Sequence, residues 1–136
     1  MHRFILGAIG FALTACSVST DETVVDAHLR AGMAYLAQNQ LDHAERHFKQ
    51  AFLADPKRVD TVLALGHWYL RKERVNSALL LYQEALSWQP MSGVLHNNYA
   101  VALCLSGQQQ AAQRAFAQAK RLGAQASQKN HCAQHH

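Results

Sequence analysis

The sequence predicts an all-α fold in which three helix–turn–helix hairpins stack into a short α-solenoid. Three observations lead there. Ala, Leu and Gln dominate and only two prolines occur, a mixture that loses little on entering helices. No stretch alternates Val, Ile, Thr and Tyr in the manner of strands. Residues 25–126 also fall into three rows of 34 residues that align without a gap, and a period of that length marks a repeat array.

The rows, 25–58, 59–92 and 93–126, agree column by column. Gly32, Gly66 and Ala100 share a small-residue column that lets two helices approach closely. Tyr35, Tyr69 and Leu103 form the next. Ala44, Ala78 and Ala112 supply the matching small residues of the second helix. Phe48, Tyr82 and Phe116 fill space between hairpins, and Ala51, Ala85 and Ala119 follow them. Asp55-Pro56 and Gln89-Pro90 close two rows, since proline cannot continue a hydrogen-bond ladder; Gly123-Ala124 closes the third. These columns resemble the tetratricopeptide signature over essentially all of the chain after the leader. Helices are expected at 25–38, 41–54, 59–72, 75–88, 93–106 and 109–122, with turns at Asn39-Gln40, Glu73-Arg74 and Gly107-Gln108.

The first sixteen residues read as an address. Met1-His2-Arg3 is a short cationic start, Phe4 to Leu13 is apolar but too short to span a bilayer, and small residues follow. The ending Leu13-Thr14-Ala15-Cys16 resembles the bacterial lipobox. That resemblance implies a signal peptide over 1–15 and acyl chains on the Cys16 sulfur, with a polar tether over 16–24. Ser17, where Asp retains such proteins in the inner membrane, implies the periplasmic face of the outer membrane. Two or three acyl chains anchor stably where one does not.

In the tetratricopeptide family the first helix of each hairpin lines a concave groove for a peptide. The equivalent positions here are Leu29, Met33 and Leu36, then Asp60, Leu63, His67 and Leu70, then Val94, Asn97, Val101 and Cys104. The surface is mostly apolar, with a polar pair at Asn97 and Asn98. A subgroup of the family grips a C-terminal carboxylate with Lys, Asn and Arg. Here those places hold Leu29, Met33, Ala64, Val94 and Asn98, too few donors for a carboxylate. The groove instead suits an amphipathic helix or a hydrophobic peptide of a protein partner.

Little argues for chemistry. No Ser-His-Asp arrangement, paired carboxylates or phosphate-cradling glycine loop occurs, so neither an enzyme nor a cofactor is expected. His43 and His47 stand four apart on one helix, and the 127–136 tail carries His131, Cys132, His135 and His136. These are ligand types for zinc or copper, but without fixed spacing no metal site is assigned. Cys104 reads as a small packing residue, a disulfide to Cys132 being the alternative. The formal charge is +4, and beyond Glu84 only bases follow: Arg114, Lys120, Arg121 and Lys129. This reads as a solvated helix face and tail, with an acidic partner or anionic lipid headgroups as the alternative; without interleaved aromatics or glycines it is not a nucleic-acid surface.

The run Leu95-His96-Asn97-Asn98-Tyr99-Ala100-Val101-Ala102-Leu103-Cys104 resembles the type IV pilus biogenesis/stability lipoproteins, the PilF/PilW family. That resemblance implies a pilotin, a periplasmic adaptor whose acyl chains carry the pilus secretin to the outer membrane while its groove holds a secretin segment. This chain has about half the usual number of repeats. Other readings are a general lipoprotein adaptor for cell-wall or outer-membrane assembly machinery, a metal-handling protein, and a self-associating structural protein.

Overall fold

A computed structural model describes residues 20–125. Six helices follow one another, with no strand among the described residues: α1 (Thr20–Ala37), α2 (Leu41–Ala54), α3 (Val59–Arg71), α4 (Val75–Trp88), α5 (Gly93–Leu105) and α6 (Gln109–Arg121). Consecutive helices pair as hairpins, and each hairpin packs on the next in chain order. The leader, Cys16 and the 127–136 tail lie outside the described residues. None of the described helices is long and apolar enough to cross a membrane.

The expected helix positions hold to within a residue everywhere except at the start. There α1 begins at Thr20, five residues before the expected Val25, so 20–24 are helix where a tether is expected. Glu22 supplies a reason: an acidic residue near the start of a helix complements the positive end of its dipole.

Each hairpin turn has one residue in the left-handed region. Asn39 and Glu73 have φ of 57°, and Gly107 lies at 81°. The amide of the following residue then reaches back to a carbonyl five positions earlier, Gln40 to Tyr35 at 2.9 Å, Arg74 to Tyr69 at 2.8 Å and Gln108 to Leu103 at 2.9 Å. This is the Schellman closure, which satisfies carbonyls the helix end leaves open. Asn39 tolerates the conformation and accepts a bond from Arg71 Nη2 at 2.9 Å. Glu73, exposed at the same turn, carries the Cβ penalty. Glu73→Gly is therefore expected to stabilise the protein by about 1 kcal/mol, read as a thermal midpoint raised by roughly 4–8 °C. An unchanged or lowered midpoint would show that the turn is not strained.

The core is a row of clusters along the stack. Leu36, Ala44 and Phe48 of the first hairpin close on Ala64, Leu65 and Trp68 of the second. Val62, Ala78, Tyr82 and Ala85 of the second close on Leu95 and Ala102 of the third. Ala100, Leu103, Ala112 and Ala115 fill the third hairpin itself. The glycine column acts as expected: a Cβ on Gly32 would lie 2.4 Å from the Phe48 ring, and one on Gly66 would lie 2.3 Å from Tyr82. Between hairpins, buried Thr61 gives its hydroxyl to the Arg58 and Asp55 carbonyls at 2.7 and 3.0 Å, pinning the turn that contains Pro56.

First helices of successive hairpins touch, α1 to α3 and α3 to α5. Second helices stand further apart, and between α2 and α4 lies an open cleft of about 540 Å³ bordered by Phe52, Leu53, Leu80 and Leu81. Closeness on one side and spread on the other curve the stack. The first helices thus take the concave face, where the candidate site lies.

Candidate functional site: a groove along the first helices

Two adjoining hollows run along α1, α3 and α5. The first, of about 420 Å³, is lined by Leu29, Met33, Leu63 and Ala64, with Asp26, Arg30, Arg58 and Asp60 at its rim. The second, of about 520 Å³, is lined by Leu70, Val101 and Leu105 with Arg71, Asn97 and Asn98. His67 and Asn98 belong to both, so the hollows form one groove. Helical spacing produces it: Leu63, His67 and Leu70 recur every three or four residues and so share one face of α3.

The structure sorts the expected groove residues. Leu29, Met33, Asp60, Leu63, His67, Leu70, Asn97 and Val101 all line the groove. Leu36 does not: it is 3% exposed and belongs to the core with Trp68. The bulk of Trp68 is the reason, because the corresponding place in the third hairpin holds Ala102 and the corresponding Leu70 stays partly open. Val94 is 43% exposed but outside both hollows, and its carbonyl accepts from Asn98 Nδ2 at 2.9 Å. Cys104 lies against the core of the third hairpin and is disulfide-bonded, which corrects its reading as a packing thiol lining the groove.

Sequence reasoning passed over the charged rim. Arg58, in the turn before α3, pairs with Asp26 of α1 and lies 3.7 Å from Asp60. This joins the first hairpin to the second at the groove mouth. Desolvation opposes the charge on Arg58, but the hydrogen bond and charge of Asp26, with Asp60 and Glu22, outweigh it and raise its pKa. Arg58 sits between helices, where a search along helix faces does not look; its neighbours Asp60 and Asp26 are the available signal. At the other end Arg71 reaches over to Asn39, and Asn97 Oδ1 is buried without a hydrogen-bond partner. The groove thus has a mostly apolar floor, a compensated charge cluster at one end and the unpartnered Asn97 oxygen at the other.

His67 sits between the two ends. Its ring is exposed, yet the groove walls partly desolvate it, and this effect, followed by the Arg71 charge, lowers its pKa below 6.5. A depressed histidine pKa means that the folded state binds protons less readily than the unfolded state. The associated stability is complete above pH 6.5 and declines as pH falls below it. His47, lowered chiefly by desolvation and then by His28, acts in the same direction. Urea midpoints are expected to fall as pH drops below 6.5, with His67→Gln making the decline shallower. An identical slope in that variant would remove His67 as a contributor.

Comparison with known proteins agrees with this geometry. Residues 25–58 match the tetratricopeptide repeat family. A solved structure of a MamA mutant superposes with a TM-score of 0.61 at 20% identity, over 75% of this chain and 79% of that one. At that identity the likeness speaks for the fold alone. An uncharacterized protein of Haemophilus influenzae is 26% identical over 111 residues, covering 78% of this chain and 62% of its own length. The chain therefore spans less than two thirds of that relative. Fold and matched repeat together show a helical-repeat architecture of tetratricopeptide type.

Proposed function

We propose that this chain is a lipid-anchored periplasmic adaptor at the outer membrane, pilotin-like in action, whose concave groove holds a segment of the type IV pilus secretin during assembly. The observation that carries the binding role is the mostly apolar floor Leu29–Met33–Leu63–Leu70–Val101 along three helices, with Met33 exposed, the others half-buried and His67 among them. Such a floor accepts the apolar face of an amphipathic helix, whose side chains recur every three or four residues. Arg71 and Asn97 at one end offer donors and an acceptor for polar groups at the end of that segment. The anchoring and the secretin are supported by the lipobox-like Leu13-Thr14-Ala15-Cys16 and by the Asn97-Asn98-Tyr99 run.

The test is crosslinking of the intact protein in its native envelope, with mass spectrometry of what is trapped and Cys16→Ser as control. Recovery of a secretin subunit that depends on Cys16 and is lost in Leu63→Arg supports the reading. Recovery of cell-wall enzymes or assembly factors without secretin sinks it in favour of a general lipoprotein scaffold.

A further inference from the structure

The convex side of the stack carries apolar side chains that neither the core nor the groove uses. Leu53 of α2 and Leu80 of α4 border the cleft of about 540 Å³ between those helices and are 74% and 69% exposed. Met33, the most exposed apolar side chain of the groove floor, is 47% exposed. The repeat does not ask for leucine at either place. The column of Leu53 continues with Ser87 and Arg121, and that of Leu80 runs Arg46, Leu80, Arg114. Both leucines therefore depart from the polar residues of their columns, and both do so at the seam between the first and second hairpins. Lys49 and Glu84 stand on opposite walls of the same cleft. The 34-residue period sets Lys49 level with Gln83, so Glu84 lies one residue, about 1.5 Å, further along the helix direction. Lys49 pairs with Glu45 of its own helix at 2.6 Å, but its side chain stays half-exposed and such surface pairs hold weakly.

A cleft, leucines projecting beside it and opposite charges on its two walls make a surface that is complementary to itself. We propose that this convex face binds a second copy of the chain about a two-fold axis running along the cleft, parallel to α2 and α4. Rotation about that axis sets α2 of one copy over α4 of the other and leaves height along the helices unchanged. Lys49 then meets Glu84 of the second copy, and Glu84 meets its Lys49, so one contact forms two ion pairs. Leu53 and Leu80, one turn to either side of that level, pack against the apolar cleft walls of the other copy. An axis running across the helices would instead bring Lys49 against Lys49 and Glu84 against Glu84, so charge selects the arrangement along them. The contact is small and the association accordingly weak. Both grooves stay open on the outer sides of the pair, which can then engage two partner segments at once.

The test is sedimentation equilibrium of the full chain in density-matched detergent at rising protein concentration, where the mass is expected to approach that of a dimer. Lys49→Glu and Glu84→Lys each weaken the association at least ~10-fold. Leu80→Gln weakens it as well, and helicity and thermal midpoint stay unchanged in all three variants. Mixing the Lys49→Glu chain with the Glu84→Lys chain restores the dimer, because each then offers the charge that the other lacks in both ion pairs. A monomer at every concentration overturns the proposal. So does a dimer that the single variants retain, or one that the mixture fails to recover.

Discussion

Trp68→Ala is expected to cost about 3–5 kcal/mol, the range for emptying a buried aromatic site. Trp68 is fully buried where the first two hairpins meet, in one cluster with Leu36, Ala44, Phe48, Ala64 and Leu65. Its indole N–H also donates to the Leu41 carbonyl at the start of α2, at 2.7 Å, and the Arg74 guanidinium lies 5.5 Å from the ring. Truncation removes the packing, the hydrogen bond and the cation–π contact together. Small domains have only about 5–15 kcal/mol in total, and three repeats are near the minimum for a stable array. The thermal midpoint should fall by at least roughly 15 °C, measured by circular dichroism at 222 nm. A fall of under about 5 °C would mean that the hairpins hold together by other means. Trp68→Phe separates the contributions, since it retains much of the ring packing and loses the hydrogen bond.

The second large effect is at Gly66, where an added methyl group should destabilise although it favours helix. A Cβ there meets the Tyr82 ring at 2.3 Å and its hydroxyl oxygen at the same distance. Tyr82 is fully buried, its hydroxyl has no hydrogen-bond partner, and burial pushes its pKa up. A rigid ring with no room to swing cannot yield, so overpacking costs about 3 kcal/mol. Alanine's helix propensity offsets about 1 kcal/mol of this. The net expectation is a loss of about 2 kcal/mol in chemical denaturation, recovered in large part by the double variant Gly66→Ala/Tyr82→Leu. The third hairpin provides the control. Ala100 occupies the same column there, its methyl is accommodated in the core and Phe116 is only partly buried, so Ala100→Gly should destabilise, by the propensity difference plus the loss of a buried methyl. A neutral Gly66→Ala would show that the close approach is not required.

The period made the fold legible, because each column repeats a packing demand that only a stacked hairpin creates. Helix ends followed from Asn39, Glu73, Gly107 and the prolines. Trp68 shows where column reading stops: its column runs Ala34, Trp68, Ala102, so the residue closing the first interface looks like an exception. Burial of Leu36 follows from that same exception, since a stripe of equivalent positions does not reveal which neighbour covers it. The groove's apolar floor was legible from spacing along helices. Its rim was not, because Arg58 belongs to a turn and meets Asp26 from 32 residues away. Likewise the spacing of His43 and His47 drew the eye along α2, whereas the closer partner of His47 is His28, 19 residues earlier. Contacts between helices are set by tertiary packing, and a single helix does not encode them.

The arrangement of helix contacts also has a mechanical consequence. The principal helix contacts join only adjacent hairpins, and the seams between them are unequal: Trp68 rivets the first seam through ring and hydrogen bond, while the second has Ala102 at that place. A pull applied between the two ends therefore does not load every seam alike. One seam parts before the other, and the groove opens there while the remaining pair of hairpins stays closed. A ligand gripped along the whole length would be released progressively under tension, not all at once.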